Sequence, residues 1–173
     1  MSESLLNLSR RYRLDPEKTR RTILVPTLIW EASTSGQGKV EHWMMTETGP
    51  ARTKPKRDDS VIFLVQKVAG KSNAFAMGVT LGRVDSNDLV IDDRSVSRFH
   101  AWVQHSERDH FWTLTDAESK NGTWIDDIKL APRVPTPLKD GSRVRLGDTS
   151  LRFFLPEALF RYLDEKWNAL SQE

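Results

Sequence analysis

Ser95-Val96-Ser97-Arg98-Phe99-His100-Ala101-Trp102-Val103-Gln104-His105 is the stretch that decides the reading, because a polar cluster runs directly into a strand-like segment. Two further clusters have the same build. Leu81-Gly82-Arg83 closes an apolar run, and Ser119-Lys120-Asn121-Gly122-Thr123 opens the run Thr123-Trp124-Ile125. Together they supply two guanidiniums, a hydroxyl and an amide, groups that suit a phosphate. None of them pairs a nucleophile with a base. The expectation is a reader of a phosphorylated partner, not an enzyme.

Outward from this stretch the chain reads as many short strands. Val61 to Val65 is β-branched and apolar, Ala76 to Leu81 leads into Arg83, and Leu89 to Ile91 follows the turn Asp85-Ser86-Asn87-Asp88. Ala101 to His105 and Phe111 to Thr115 flank the polar turn 106–110. Arg143 to Leu146 and Leu151 to Leu155 flank Gly147-Asp148. Turn signals roughly every 8–12 residues between such runs predict an all-β sandwich. Pro156 ends the sheet. Leu159, Phe160, Leu163, Trp167 and Leu170 then recur at helical spacing. This predicts an amphipathic C-terminal helix over 156–173, packed on the sandwich or on the N-terminal arm.

The N-terminal third has a different texture. Ser4 to Arg13 fits a short basic helix, and Asp15-Pro16-Glu17 reads as an N-cap with proline at the first helical position. Ile23 to Trp30 is apolar but interrupted by Pro26. Residues 31–59 read as linker, with Ser33 to Gly38, Gly49-Pro50 and Thr53 to Arg57, broken only by His42-Trp43-Met44-Met45. The expected division is therefore a basic arm and linker over 1–59, a sandwich over 60–155 and the helix beyond. Charge follows it. Residues 1–57 hold 11 Lys/Arg against 6 Asp/Glu, and residues 58–173 hold 15 against 18. Clustered arginines in a mildly acidic body call for a local reason.

Composition narrows the function. The chain of 173 residues has no cysteine and a formal net charge of +2, so neither a disulfide framework nor a thiolate metal site is expected. No run of about 18 apolar residues is present, and the first 13 residues lack the apolar core of a secretory signal. A cytoplasmic location is expected. His100, His105 and His110 lack a carboxylate to complete a metal set, so no metal or other cofactor is expected. Asp92-Asp93 and Asp126-Asp127 sit at turn signals, where aspartate is common for local reasons. Trp102, Trp112 and Trp124 fall in strands and read as core or sheet-face residues.

Each cluster has a plain alternative. Arg83 could simply pair with Asp85 or Asp88, Ser97 could cap its own turn, and Lys120 could be a solvated lysine. His100 is expected to pin the loop backbone with its ring nitrogens. Asn121-Gly122 could be only a turn, or could present an amide to the main chain of an extended peptide.

Taken in order, the pieces resemble the forkhead-associated (FHA) domain: Leu81-Gly82-Arg83, Asn87-Asp88, Ser95 to Ala101, Asp116, Ser119 to Thr123, Leu138 to Gly141 and Leu146-Gly147. The resemblance implies a sandwich of about eleven strands that binds phosphothreonine peptides through loops at one end. Arg83 and Ser97 would hold the phosphate, and Arg98 would assist; Lys120, read from its place beside Asn121, could add a long-range positive charge to the phosphopeptide site. Asn121 would hold peptide backbone, while Gly82, His100 and Gly122 would support the site. The family favours phosphothreonine over phosphoserine through a niche for the threonine methyl. Asp126 stands where the family often has Asn, an acid expected near the peptide path. The implied role is a signalling adaptor downstream of a Ser/Thr kinase, without membrane or nucleic-acid partners.

Three other readings compete. One is a scaffold regulated by phosphorylation of its own arm at Thr19, Thr22 or Thr27, or of the linker at Thr46, Thr48 or Thr53. Another is a hydrolase using Asp92, Asp93 and His100. The last is a degenerate fold that binds an unmodified partner or DNA through the arm.

Overall fold

Two antiparallel-rich sheets face each other, and their strands are short because turn residues interrupt the apolar runs so often. The structure, a computed structural model, describes residues 2–31, 60–71, 75–76 and 78–170. In chain order the elements are β1 Ser2–Ser4, α1 Leu5–Leu14, α2 Pro16–Thr22, β2 Thr27–Trp30, β3 Val61–Leu64, β4 Val79–Gly82 and β5 Leu89–Val90. They continue with β6 Ala101–Ser106, β7 Phe111–Asp116, β8 Thr123–Ile125, β9 Ile128–Lys129, β10 Thr136–Leu138, β11 Arg143–Leu146, β12 Thr149–Phe154 and α3 Pro156–Leu170. The larger sheet runs β1-β3-β2-β12-β11-β8-β9 and the smaller β10-β7-β6-β4-β5. All pairings are antiparallel except β4 with β5. This is the all-β sandwich with a C-terminal helix that the sequence predicts.

Successive side chains on a strand point to opposite faces, and the core follows that rule. Leu28, Phe63, Leu151 and Phe153 point inward from the larger sheet to meet Leu81, Ala101, Val103 and Leu114 from the smaller one. Their neighbours Ile29, Ile62 and Phe154 point outward into a second apolar layer with Leu5, Leu8 and Tyr12 of α1 and Leu159, Phe160 and Leu163 of α3. Tyr12 stacks on Phe160 with ring centroids 5.1 Å apart. The predicted stripe on α3 thus packs on both the sandwich and the N-terminal helix. The side chains of Trp167 and Leu170, also placed in that stripe, lie outside the described residues.

The segment read as an arm contributes an interior strand. β2 lies between β3 and β12, with Leu28 opposite both Phe63 and Phe153. Pro26 divides the apolar run 23–30, and only its second half is strand. It stands just before the strand, where no ladder donor is needed, and its carbonyl accepts from Val65 N–H at 2.8 Å. Leu28 and Ile29 are both fully buried; burying an aliphatic side chain contributes about 1.5–3 kcal/mol. The predicted N-terminal helices are present, and the Asp15 carboxylate caps α2 by accepting from Lys18 N–H at 2.9 Å.

Short edge strands also depart from the reading. β9 has both residues exposed, and β10 carries Pro137 at the rim of the smaller sheet, the edge position where proline is tolerated. Of the threonines considered as modification sites, Thr19 and Thr27 are buried at 1% and 0% exposure. Thr22 is exposed and donates its hydroxyl proton to the Thr19 carbonyl at 2.7 Å. Thr46, Thr48, Thr53 and the 42–45 apolar patch lie outside the described residues. No described helix is long and apolar enough to cross a membrane.

Candidate functional site

Three loops converge at one end of the sandwich, and hydrogen bonds from buried side chains tie them together. β4 ends at Gly82, so Arg83 is the first residue of the loop to β5. Ser97 and Arg98 belong to the loop from β5 to β6, and Lys120 and Asn121 to the loop from β7 to β8.

Close approach holds the first two loops. A Cβ built on Gly82 would lie 2.2 Å from the Arg98 carbonyl oxygen and 2.6 Å from Asn87 Nδ2, so only glycine fits there. Asn87, 3% exposed, donates from Nδ2 to the carbonyls of Val84 at 2.9 Å and Arg98 at 2.6 Å. Arg83 N–H donates to the Ser97 carbonyl at 3.0 Å. One residue on, the Asp88 carboxylate accepts from the Thr80 main chain at 2.9 Å, the Thr80 hydroxyl at 3.0 Å, Val68 N–H at 3.0 Å and Lys67 Nζ at 2.9 Å. Burial alone would push this carboxyl up. The donors outweigh it and bring it down to about 2.

His100 is fully buried and bridges the second loop to the third. Its Nδ1 accepts from Ser97 N–H at 2.9 Å, which places the ring proton on Nε2, 3.0 Å from the Gly122 carbonyl. Burial lowers its pKa, partly offset by the Gly122 bond and the nearby Asp116 charge. Both ring nitrogens are engaged with main chain, one on each side of the gap between the two loops. Asp116 braces the third loop by accepting from Ser119 N–H at 3.1 Å, from the Ser119 hydroxyl at 2.6 Å and from the Thr123 hydroxyl. Gly122 takes φ +87°, and a Cβ there would lie 2.9 Å from the Trp124 ring.

On this frame a groove of about 870 Å³ brings Arg83, Ser97, Arg98, Lys120 and Asn121 to one surface, joined by Arg94. Arg83 Nε donates to the Val96 carbonyl at 3.3 Å, which leaves both terminal nitrogens of the fork for a ligand. Ser97 Oγ accepts from Lys120 N–H at 3.0 Å and keeps its own proton to donate. Asn121 Nδ2 donates to the Ser95 carbonyl at 2.8 Å, leaving its Oδ1 and second N–H proton. The set offers guanidinium, hydroxyl, ammonium and amide donors to one anion. Arg83 does not pair with Asp85 or Asp88: among the described residues its guanidinium makes no ion pair.

Two expectations change. Asp126 is not among the groove residues; its carboxylate accepts from Arg143 N–H at 2.8 Å and from the Ser142 hydroxyl at 3.0 Å, closing the turn after β8. Asp93 does not meet His100 as a catalytic pair, since its Oδ1 accepts from Ser95 N–H at 2.8 Å and the Ser95 hydroxyl at 2.6 Å. Arg94 belongs to none of the three clusters singled out in the sequence. Its signal was an arginine three residues before the Ser97 hydroxyl, in the same loop.

Part of this chain is similar to known proteins. Residues 79–147 match the profile of the family described as the FHA domain. The chain is 37% identical over 73 residues to the FHA domain-containing protein FhaB of Mycobacterium tuberculosis, covering 42% of this chain and 44% of that protein. It is 27% identical over 103 residues to the transcriptional regulatory protein EmbR of the same organism, covering 59% of this chain and 26% of that one. It therefore spans less than half the length of either relative. A solved FHA domain from an Arabidopsis thaliana hypothetical protein is 29% identical, covers 46% of this chain and 69% of that chain, and superposes with a TM-score of 0.42. The likeness to the FHA domain is carried by residues 79–147 of this chain.

Proposed function

We propose that the chain is a phosphothreonine-dependent protein-binding module, a signalling adaptor that works downstream of a Ser/Thr kinase and carries out no turnover. The convergence of Arg83, Ser97, Arg98, Lys120 and Asn121 on one groove supports this reading most directly. A phosphate ester brings a charge near −2 and three acceptor oxygens. The Arg83 fork can hold two oxygens and the Ser97 hydroxyl a third, in charge-assisted bonds stronger than neutral ones. Hydrogen bonds already fix the loops, so little ordering cost falls on the protein when a peptide arrives. Asn121 then serves the main chain of an extended peptide.

The absence of turnover rests on chemistry. Ser97 has no base at hand, because the nearest histidine is committed to main chain through both nitrogens. The family resemblance supports a partner carrying phosphothreonine. Calorimetry with a threonine peptide in phosphorylated and unmodified form tests the reading. Binding of the phosphorylated form alone, weakening as salt rises, is the expected result; equal binding of both ends the proposal.

A further inference from the structure

The groove carries more positive charge than one phosphate needs. Its lining holds four cations, Arg83, Arg94, Arg98 and Lys120, against one acid, Glu118. Glu118 is committed elsewhere, its Oε2 accepting from Arg133 Nη2 at 2.9 Å. Among the described residues no ion pair or side-chain hydrogen bond engages Arg94, Arg98 or Lys120. A phosphate near −2 leaves cationic charge uncompensated in the groove.

Position separates Arg94 from the rest. Arg83 and Ser97 are joined through their main chains at 3.0 Å, and the Ser97 hydroxyl meets the Lys120 main chain at 3.0 Å, so these three form one subsite. Arg94 is carried by a different anchor. Its neighbour Ser95 gives its carbonyl to Asn121 Nδ2 at 2.8 Å, and the Ser95 hydroxyl accepts from Asp148 N–H at 2.9 Å. On the other side, Asp93 is fixed to Ser95. Arg94 therefore stands on a rigid stretch of loop at the Asn121 rim, where the main chain of a bound peptide is expected to run.

We infer that Arg94 is a specificity residue: it selects phosphothreonine peptides that carry an aspartate or glutamate beside the phosphorylated residue. This rests on the phosphothreonine reading of the groove. The acid would pair with a guanidinium that makes no ion pair among the described residues, and its charge would offset part of the positive charge the phosphate leaves.

The test uses the full chain and three phosphothreonine peptides: alanine-flanked, with aspartates before the phosphothreonine, and with aspartates after it. Each is titrated calorimetrically beside its unphosphorylated twin. One acidic arrangement should bind about fivefold tighter than the alanine-flanked peptide, the scale of a partly exposed charge pair. Arg94→Gln should bring that ratio close to one, and Arg94→Lys should keep part of it. A wild-type ratio near one, or a ratio that persists in Arg94→Gln, overturns the inference while phosphate dependence stands. If no phosphorylated peptide outbinds its twin, the reading of the groove fails and the role of Arg94 falls with it.

Discussion

The main-chain N–H of Ser97 donates to Nδ1 of His100 across 2.9 Å, and this bond couples the loop from β5 to β6 to the core. His100→Ala removes it together with the Nε2 bond to Gly122, and leaves a cavity where a fully buried ring stood. The expected cost is about 2–4 kcal/mol of folding stability, read as a lower urea midpoint. An unchanged midpoint would mean that the ring does not brace the loops.

The same ring sets a pH dependence. The folded pKa of His100 lies below 6.5 because burial disfavours its charged form. As pH falls through about 6.5 the unfolded chain takes up a proton that the folded one refuses, so stability declines with falling pH. Asp88 adds a second loss at lower pH. Its folded value is about 2 against 3.8 unfolded, so its contribution, about 2 kcal/mol, is present above pH 4 and disappears between pH 4 and 2. Chemical denaturation across pH should show both declines, and His100→Asn should abolish only the upper one.

Gly82→Ala places a methyl 2.2 Å from the Arg98 carbonyl. Main chain cannot yield there without separating Arg83 from Ser97. We expect a loss of about 3 kcal/mol or more, measured by thermal unfolding, with peptide binding lost in whatever fraction remains folded.

Arg83→Ala should behave in the opposite way. Its side chain is exposed and, among the described residues, makes one hydrogen bond, at 3.3 Å to the Val96 carbonyl, so the melting temperature should stay within a degree or two, the small effect typical of a surface change. Affinity for a phosphothreonine peptide should drop by about 3 kcal/mol, roughly a hundredfold. Retained affinity would place the phosphate elsewhere.

A fragment starting at residue 60 should not fold. It lacks β2, which pairs on both sides with β3 and β12, and would expose Ile62 and Phe154 on the outer face. Proton spectra of the fragment alone, and after mixing with a 1–31 peptide, would show whether the missing strand restores dispersion.

The sandwich was legible where strands are long and flanked by turn residues, as at β6 and β7. It was obscured at β2, which directly follows Pro26 and is separated by the thirty residues 31–60 from the strand β3 it pairs with. Periodicity is a local signal; the pairing of Leu28 with Phe63 and Phe153 is not. The groove residues Arg83, Ser97, Arg98, Lys120 and Asn121 stand out in the sequence through their place at loop tips. The role of Asp88 did not, because a buried carboxylate serving Val68, Thr80 and Lys67 looks in sequence like any turn aspartate. Arg94 was hidden for the same reason, among neighbours that suit a turn.

The most direct test of the account is amide NMR of the labelled chain, titrated with one threonine peptide in phosphorylated and unmodified form. Only the phosphorylated peptide should move resonances, with the largest shifts at Arg83, Ser97, Lys120 and Asn121. Shifts that are the same for both peptides, or that fall away from these loops, would contradict it.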